Sequence, residues 1–184
     1  MVGASIMKEG GNAFDAAIAI QLTLAVVYPG AGNIGGGGFL LGRKADGELI
    51  GIDYREAAPE KASRDMYLDA NGNPQMQLSQ DGHLASGVPG TIAGVFAALK
   101  YARLPFKQLI QPAIDLAAKG FAVTEREASD LNELKKEFLK INSSPVVFVK
   151  ESEWKKGDTL IQKELAGTLT RIRDLGAKDF YEGE

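Results

Sequence analysis

The sequence predicts an α+β fold, rich in helix and organised around one buried helix and one β-hairpin. Three observations predict it: an almost wholly apolar run at 13–28, two short apolar segments flanking Asp46-Gly47, and helical amphipathic periodicity from residue 92 onward. With 184 residues and 45% apolar content, the chain suffices for one domain or part of a larger one, and can fill a sizeable core.

Gly10-Gly11-Asn12 precedes the first helix, expected at 13–28 with Asn12 as N-cap, Asp15 complementing the dipole in the first turn, and Pro29 ending it. Ala16, Ala17, Ile18, Ala19, Ile20, Leu22, Leu24, Ala25, Val26 and Val27 leave almost no polar face, so burial all round is expected. A membrane span is excluded: the run is short of the ~20 residues a bilayer needs and contains Asp15 and Gln21. No basic flank marks a signal peptide.

Next comes the stretch that concentrates the chemistry, 28–59. Tyr28-Pro29-Gly30-Ala31-Gly32-Asn33-Ile34 leads through four consecutive glycines, Gly35 to Gly38, into Phe39-Leu40-Leu41-Gly42, the Asp46-Gly47 turn, and Leu49-Ile50-Gly51-Ile52. Short apolar runs bounded by glycine suit strands buried on both faces. Glycines in a row cost backbone entropy and contribute no packing. They persist where backbones, a ligand or another strand must come close, or simply as a tight helix-to-strand connection; both readings stand. The second strand runs out through Asp53 and Tyr54 into Arg55-Glu56. An arginine closing an apolar strand presents a planar fork of donors that fits a carboxylate bidentately, whereas the bland alternative is a structural Arg55–Glu56 salt bridge. Gly30-Ala31-Gly32-Asn33-Ile34-Gly35 spells a G-x-G-x-x-G string with Asp53 at ribose-acid distance. The order helix, glycines, strand is nevertheless the reverse of a dinucleotide site, and no Gly-Lys-Ser/Thr follows to make a P-loop.

Residues 60–80 read as a polar excursion with a turn at Asp69-Ala70-Asn71-Gly72-Asn73-Pro74. His83-Leu84-Ala85-Ser86-Gly87-Val88-Pro89-Gly90-Thr91 then leads into a helix at 92–101 with Ala93, Phe96, Ala97 and Leu99 inward. His83 reads as a structural hydrogen-bonder, and Ser86 and Thr91 as turn and cap residues. Neither hydroxyl has a second histidine or a nearby lysine to activate it. Pro112 is expected to open a helix that stops at Gly120. Thr124-Glu125-Arg126-Glu127 is a capping box for a helix with Ala128, Leu131, Leu134 and Phe138 on one face. A short apolar run, 146–149, and Trp154 precede a last helix with Leu165, Leu169, Ile172 and Leu175 inward, closing at Gly176. The chain begins almost directly at a helix and stops at Asp179-Phe180-Tyr181-Glu182-Gly183-Glu184 without stop signals, so both ends read as cut.

The net charge of −3, with no basic stripe, argues against nucleic acid as partner. Zero cysteines and one histidine exclude thiol catalysis, cysteine-containing zinc sites and multi-histidine metal sites within the chain. No cofactor or metal is expected.

Taken together, Gly10-Gly11-Asn12-Ala13 with Asp15-Ala16-Ala17, Gly35-Gly36-Gly37-Gly38-Phe39, Asp53-Tyr54-Arg55-Glu56-Ala57-Ala58-Pro59 and Gly87-Val88-Pro89-Gly90-Thr91 resemble the large chain of γ-glutamyltranspeptidase. Pro112-Ala113-Ile114, Gly120-Phe121, Lys156-Gly157-Asp158-Thr159-Leu160 and Phe180-Tyr181 keep the family's order, and His83-Leu84-Ala85-Ser86-Gly87 is similar to its bacterial members. Lys163 departs from the proline or alanine of many relatives, at no catalytic position. The resemblance implies the helix-rich part of an αββα N-terminal-nucleophile hydrolase sandwich, residues 1–184 forming a single partial domain that is incomplete without the small chain. It also implies an autoprocessing zymogen. The freed threonine of its small chain attacks the γ-glutamyl amide of glutathione and related compounds, and the acyl-enzyme passes its group to water or an amino acid. That threonine lies outside this segment, which contributes no catalytic residue. Arg55 would bind the substrate α-carboxylate, with Glu56 supporting the pocket, and the location implied is periplasmic or secreted. The opposing reading, from a different class, is a non-catalytic module that holds an anionic ligand with the glycine loop and Arg55.

Overall fold

The computed structural model describes residues 1–183. Helix α1 (Val2–Lys8) leads to α2 (Ala13–Val27), then to a hairpin of β1 (Phe39–Arg43) and β2 (Leu49–Asp53). A long irregular excursion follows. The remainder is α3 (Thr91–Ala98), α4 (Phe106–Lys119), β3 (Phe121–Ala122), α5 (Glu125–Ile141), β4 (Thr159–Leu160), α6 (Lys163–Leu175) and α7 (Ala177–Glu182). The mixed α/β class agrees with the sequence expectation. Helices α1 and α7, and the small β3–β4 ladder, had no sequence signal strong enough to announce them.

Helix α2 is the centre. Ile18, Ala19, Leu22 and Val26 interlock with Ile92, Val95 and Ala98 of α3, Leu109, Ile110, Ala113 and Ala117 of α4, and Leu169 and Ile172 of α6. Its start is a complete capping box: the Asn12 side chain accepts from the backbone N–H groups of Phe14 (2.7 Å) and Asp15 (3.1 Å), and the Asp15 carboxylate accepts from Asn12 N–H (2.7 Å). Asp15 does more than balance a dipole. Fully buried, it also accepts from the backbone N–H groups of Arg103 (3.1 Å) and Leu104 (2.9 Å), while Asn12 Nδ2 donates to Tyr101 O (2.7 Å). The pair thus fastens the segment before α4 to the head of α2. Burial pushes the Asp15 carboxyl up, but hydrogen bonds from the Asn12, Leu104 and Arg103 backbones outweigh it and hold the group below the usual carboxylate value.

Burial of α2 is not all round, as the sequence led one to expect. Ala13, Ala17, Ile20 and Leu24 recur at helical spacing along one uncovered stripe, Ile20 and Leu24 being 42% and 41% exposed. The hairpin departs in the same way. Phe39 pairs with Asp53 and Leu41 with Gly51, so one face carries Leu40, Ile50 and Ile52 inward while Phe39, Leu41 and Leu49 stand out at 63%, 88% and 78% exposure. Two strands make a sheet with one face on α2 and α3 and nothing over the other among the described residues. The Asp46-Gly47 turn forms as expected, Gly47 taking φ +92° and donating its N–H to Lys44 O (3.0 Å).

Three helix readings need correction. Helix α3 starts one residue early and turns Ile92, Gly94, Val95 and Ala98 inward, leaving Ala93 and Ala97 exposed. The cause is Gly94: a Cβ there would lie 2.3 Å from Tyr54 Cγ, so the helix sets its glycine, not its alanines, against the hairpin. Pro112 lies inside α4 rather than opening it, the N-cap being Pro105. Burial of Leu109 and Ile110 carries the helix across the one hydrogen bond that proline forgoes. Leu134 on α5 and Leu175 on α6 are 46% and 62% exposed, each on the rim of its helix's apolar face. The capping box of α5 forms as expected, with Thr124 N–H to Glu127 Oε2 (2.7 Å) and Glu127 N–H to Thr124 Oγ1 (3.2 Å). A second cluster gathers Val123, Ala128, Leu131, Trp154 and Leu160. Asn132 secures Trp154 there through both its backbone groups.

Candidate functional site

Arg55 stands where the hairpin ends. The ladder gains one more pair beyond β2, Tyr54 N–H to Gly38 O (3.0 Å) and Gly38 N–H to Tyr54 O (3.3 Å). Three residues on, Ala57 exchanges both backbone hydrogen bonds with Val88 (3.1 and 2.8 Å). Arg55 and Glu56 are therefore held between two paired positions, and Arg55 N–H donates to Asp53 Oδ1 (3.0 Å), turning the chain sharply out of the strand.

The glycine loop serves this bend. Gly36 O accepts the backbone N–H groups of Gly90 (2.8 Å) and Thr91 (3.0 Å) and the Thr91 hydroxyl (3.0 Å), while Asn33 Oδ1 receives Gly36 N–H (2.7 Å). A Cβ at Gly37 would lie 2.4 Å from Tyr54 O, and one at Gly90 only 1.9 Å from it. Backbone approaches backbone here, and among residues 30–38 no glycine takes a positive φ. The loop is thus a helix-to-strand connection that also clasps Tyr54–Arg55. Thr91, read from sequence as a cap, sends its hydroxyl across to the loop instead of to its own helix.

The guanidinium of Arg55 and the carboxylate of Glu56 are both exposed, and neither makes an ion pair or side-chain hydrogen bond among the described residues. The structural salt bridge is therefore not formed. Arg55 borders an open cleft of about 370 Å³ lined by Asp53, Tyr54, Ala57, Val88, Pro89, Gly90, Ala93 and Tyr181. Burial raises the Tyr54 phenol above its ordinary value, so it stays a neutral donor, directed at Phe39 O (3.4 Å). His83 is exposed, and its side chain makes no hydrogen bond among the described residues; it neither bonds structurally, as the sequence led one to expect, nor borders the cleft. Among the described residues no three or more histidine, aspartate or glutamate groups gather to hold a metal ion. The cleft presents one exposed guanidinium, that of Arg55, and among the described residues that line it there is no nucleophile–base pair.

Sequence reasoning missed two contributors. Asp53 drew notice as a ribose-type acid and as part of a motif, but not for what it does here, which is to shape the Arg55 turn. Tyr181 reaches the cleft from the far end of the chain, and a residue 92 positions away in sequence leaves no local pattern to read.

A family model described as Gamma-glutamyltranspeptidase matches residues 1–184. The chain is 50% identical over 185 residues to the glutathione hydrolase proenzyme of Escherichia coli (strain K12), covering 99% of this chain and 32% of that protein. It is 46% identical over 186 residues to the glutathione hydrolase proenzyme of Pseudomonas sp. (strain A14), with 100% and 32% covered. The crystal structure of Helicobacter pylori gamma-glutamyltranspeptidase superposes with a TM-score of 0.94 at 50% identity, covering 100% of this chain and 53% of that one. The chain thus spans about a third of the curated relatives it matches.

Proposed function

Because the chain belongs to the γ-glutamyltranspeptidase family, we propose that it is the N-terminal part of the large chain of a glutathione hydrolase, and that Arg55 binds the α-carboxylate of the γ-glutamyl donor. The observation that carries this is the Arg55 guanidinium, without an ion pair among the described residues and at the mouth of a cleft, while its backbone is clasped on both sides. A planar fork on a fixed backbone can take a carboxylate through two parallel charge-assisted bonds, fixing both position and orientation. Glu56, whose stem lies against Gly87, would support the pocket wall. The reading as a non-catalytic module finds no support in these relatives, which are named as hydrolases and transpeptidases.

In this reading the small chain of the same precursor supplies the threonine. Its hydroxyl attacks the γ-carbonyl, the amine departs, and the ester intermediate is resolved by water or an amino acid. Arg55 holds the far end of the γ-glutamyl group so that the carbonyl meets that nucleophile. Autoprocessing frees the threonine, and the location is periplasmic or secreted. Among the described residues no helix is long and apolar enough to cross a membrane.

The fold supports the further reading that residues 1–184 are a single partial domain of an αββα sandwich. The uncovered stripe of α2 and the outer face of the hairpin meet where Ala17 and Gln21 face Phe39 and Leu41 across one cleft. Sheets and helices from the rest of the protein would cover this surface. The 184-residue chain alone is therefore expected to self-associate and to bind a hydrophobic dye strongly. A dye-silent monomer in dilute solution would contradict the proposal.

The functional test compares the chain with the full-length protein on a γ-glutamyl p-nitroanilide. The full-length, processed protein is expected to release p-nitroaniline, and the isolated chain to show neither burst nor turnover. A burst from the isolated chain would overturn the assignment of the nucleophile to the small chain, and an inactive processed protein would overturn the hydrolase reading.

A further inference from the structure

Tyr181 ties the end of the chain to the Arg55 cleft. Its hydroxyl donates to Pro89 O (2.8 Å) and accepts from Ala93 N–H (3.1 Å). Ala93 is the third residue of α3, and its N–H belongs to the first turn, which has no intrahelical partner. A tyrosine 88 residues away thus caps the helix that no side chain of its own caps. The same hydroxyl holds Pro89, whose neighbours on either side are the Val88 that pairs with Ala57 and the Gly90 that donates to Gly36.

The base of this contact is firm. Arg171 on α6 grips Asp179 through two 2.9 Å bonds, Phe180 packs against the main core, and the rings of Phe180 and Tyr181 meet edge to face at 5.0 Å. Helix α7 is thereby set on α6, and Tyr181 transmits that position to the 87–91 turn. The turn in turn presses on the Arg55 bend, since a Cβ on Gly90 would lie 2.7 Å from Arg55 O.

From this geometry we infer that Tyr181 is a positioning residue for the donor-substrate cleft: its hydroxyl locks the 87–91 turn and the head of α3, and so fixes the direction in which Arg55 leaves the hairpin. This rests on Arg55 binding the substrate carboxylate. Tyr181 acts through the turn; it needs no contact with substrate.

The test uses the full-length, processed enzyme and the Tyr181→Phe variant, which keeps the ring and removes both bonds. KM for the γ-glutamyl anilide is expected to rise roughly three- to tenfold, the span that a lost hydrogen bond commonly produces, with kcat unaltered and Tm only slightly lowered by the lost cap. In an Arg55→Lys background the same substitution should change KM by less than about twofold, because coupled residues are not additive. Full additivity, an unchanged KM, or a fall in Tm with KM unchanged would each overturn the proposal. If Arg55→Lys alone leaves KM unaltered, the carboxylate reading is what fails. Hydrogen exchange at the Gly90 to Ala93 amides then decides the positioning claim: faster exchange in Tyr181→Phe supports it, and unchanged protection overturns it.

Discussion

Replacing Arg55 by lysine in the full-length enzyme is expected to raise KM for γ-glutamyl donors at least tenfold while leaving autoprocessing and thermal stability intact. The charge survives but the fork does not, and one ammonium cannot reproduce two parallel bonds to a carboxylate. Charge-assisted bonds contribute on the order of 1.5–3 kcal/mol each, and about 1.4 kcal/mol is tenfold in affinity. Arg55→Ala should cost more, with kcat also falling as the scissile carbonyl drifts from the nucleophile. Stability should be indifferent, because the guanidinium makes no ion pair among the described residues. A KM within about twofold of the parent in correctly processed Arg55→Lys protein, well below one hydrogen bond's worth, would rule out the carboxylate role.

The second large effect is on stability and comes from Asp15. Its carboxylate satisfies the N–H groups of Asn12, Arg103 and Leu104 in a site with no solvent access. Asp15→Ala leaves these donors orphaned at roughly 1–3 kcal/mol each, so a loss of about 3 kcal/mol or more is expected in chemical denaturation. Faster hydrogen exchange at Arg103 and Leu104 would localise it. The pH dependence has a definite sign. The folded carboxyl lies below its ordinary value of 3.8, so its stabilisation is present above that value and is lost as pH falls through the lower, folded one. Asp15→Asn should therefore flatten the acid limb of the stability profile. An acid limb as steep as the parent's would show that Asp15 is not a group whose protonation unfolds the chain.

What the sequence made legible was local. The head of α2, the Asp46-Gly47 turn and the Thr124 capping box each follow from residues within four positions of one another, and each formed as read. Arg55 could be singled out because an arginine closing an apolar strand offers a planar fork that fits a carboxylate. What stayed hidden was long-range. That Gly94 rather than Ala93 or Ala97 faces the hairpin depends on the Tyr54 ring 40 positions earlier, and no periodicity within α3 encodes it. Pro112 looked like a helix start because its own chemistry favours one, and only the depth of Leu109 and Ile110 in the core overrules that. The bare faces of α2 and the hairpin, Ile20, Leu24, Phe39, Leu41 and Leu49, mark the same limit. Apolar composition reveals that a surface is to be covered, but not whether the cover belongs to the same stretch of chain.

The fastening of Asp15 to residues 103 and 104 also sets an order of events during synthesis. The hairpin pairs residues at most 14 apart and can close as soon as it emerges. The bonds from Arg103 and Leu104 that anchor the head of α2 cannot form until a segment 88 residues later has been made. At ~5–20 residues per second of translation, that interval is about 4–18 s. Throughout it α2 lacks Leu109, Ile110 and Ala113 of α4 over part of its buried face, so a nascent chain halted before residue 104 should be held by chaperones, and one released there should be degraded rather than stored.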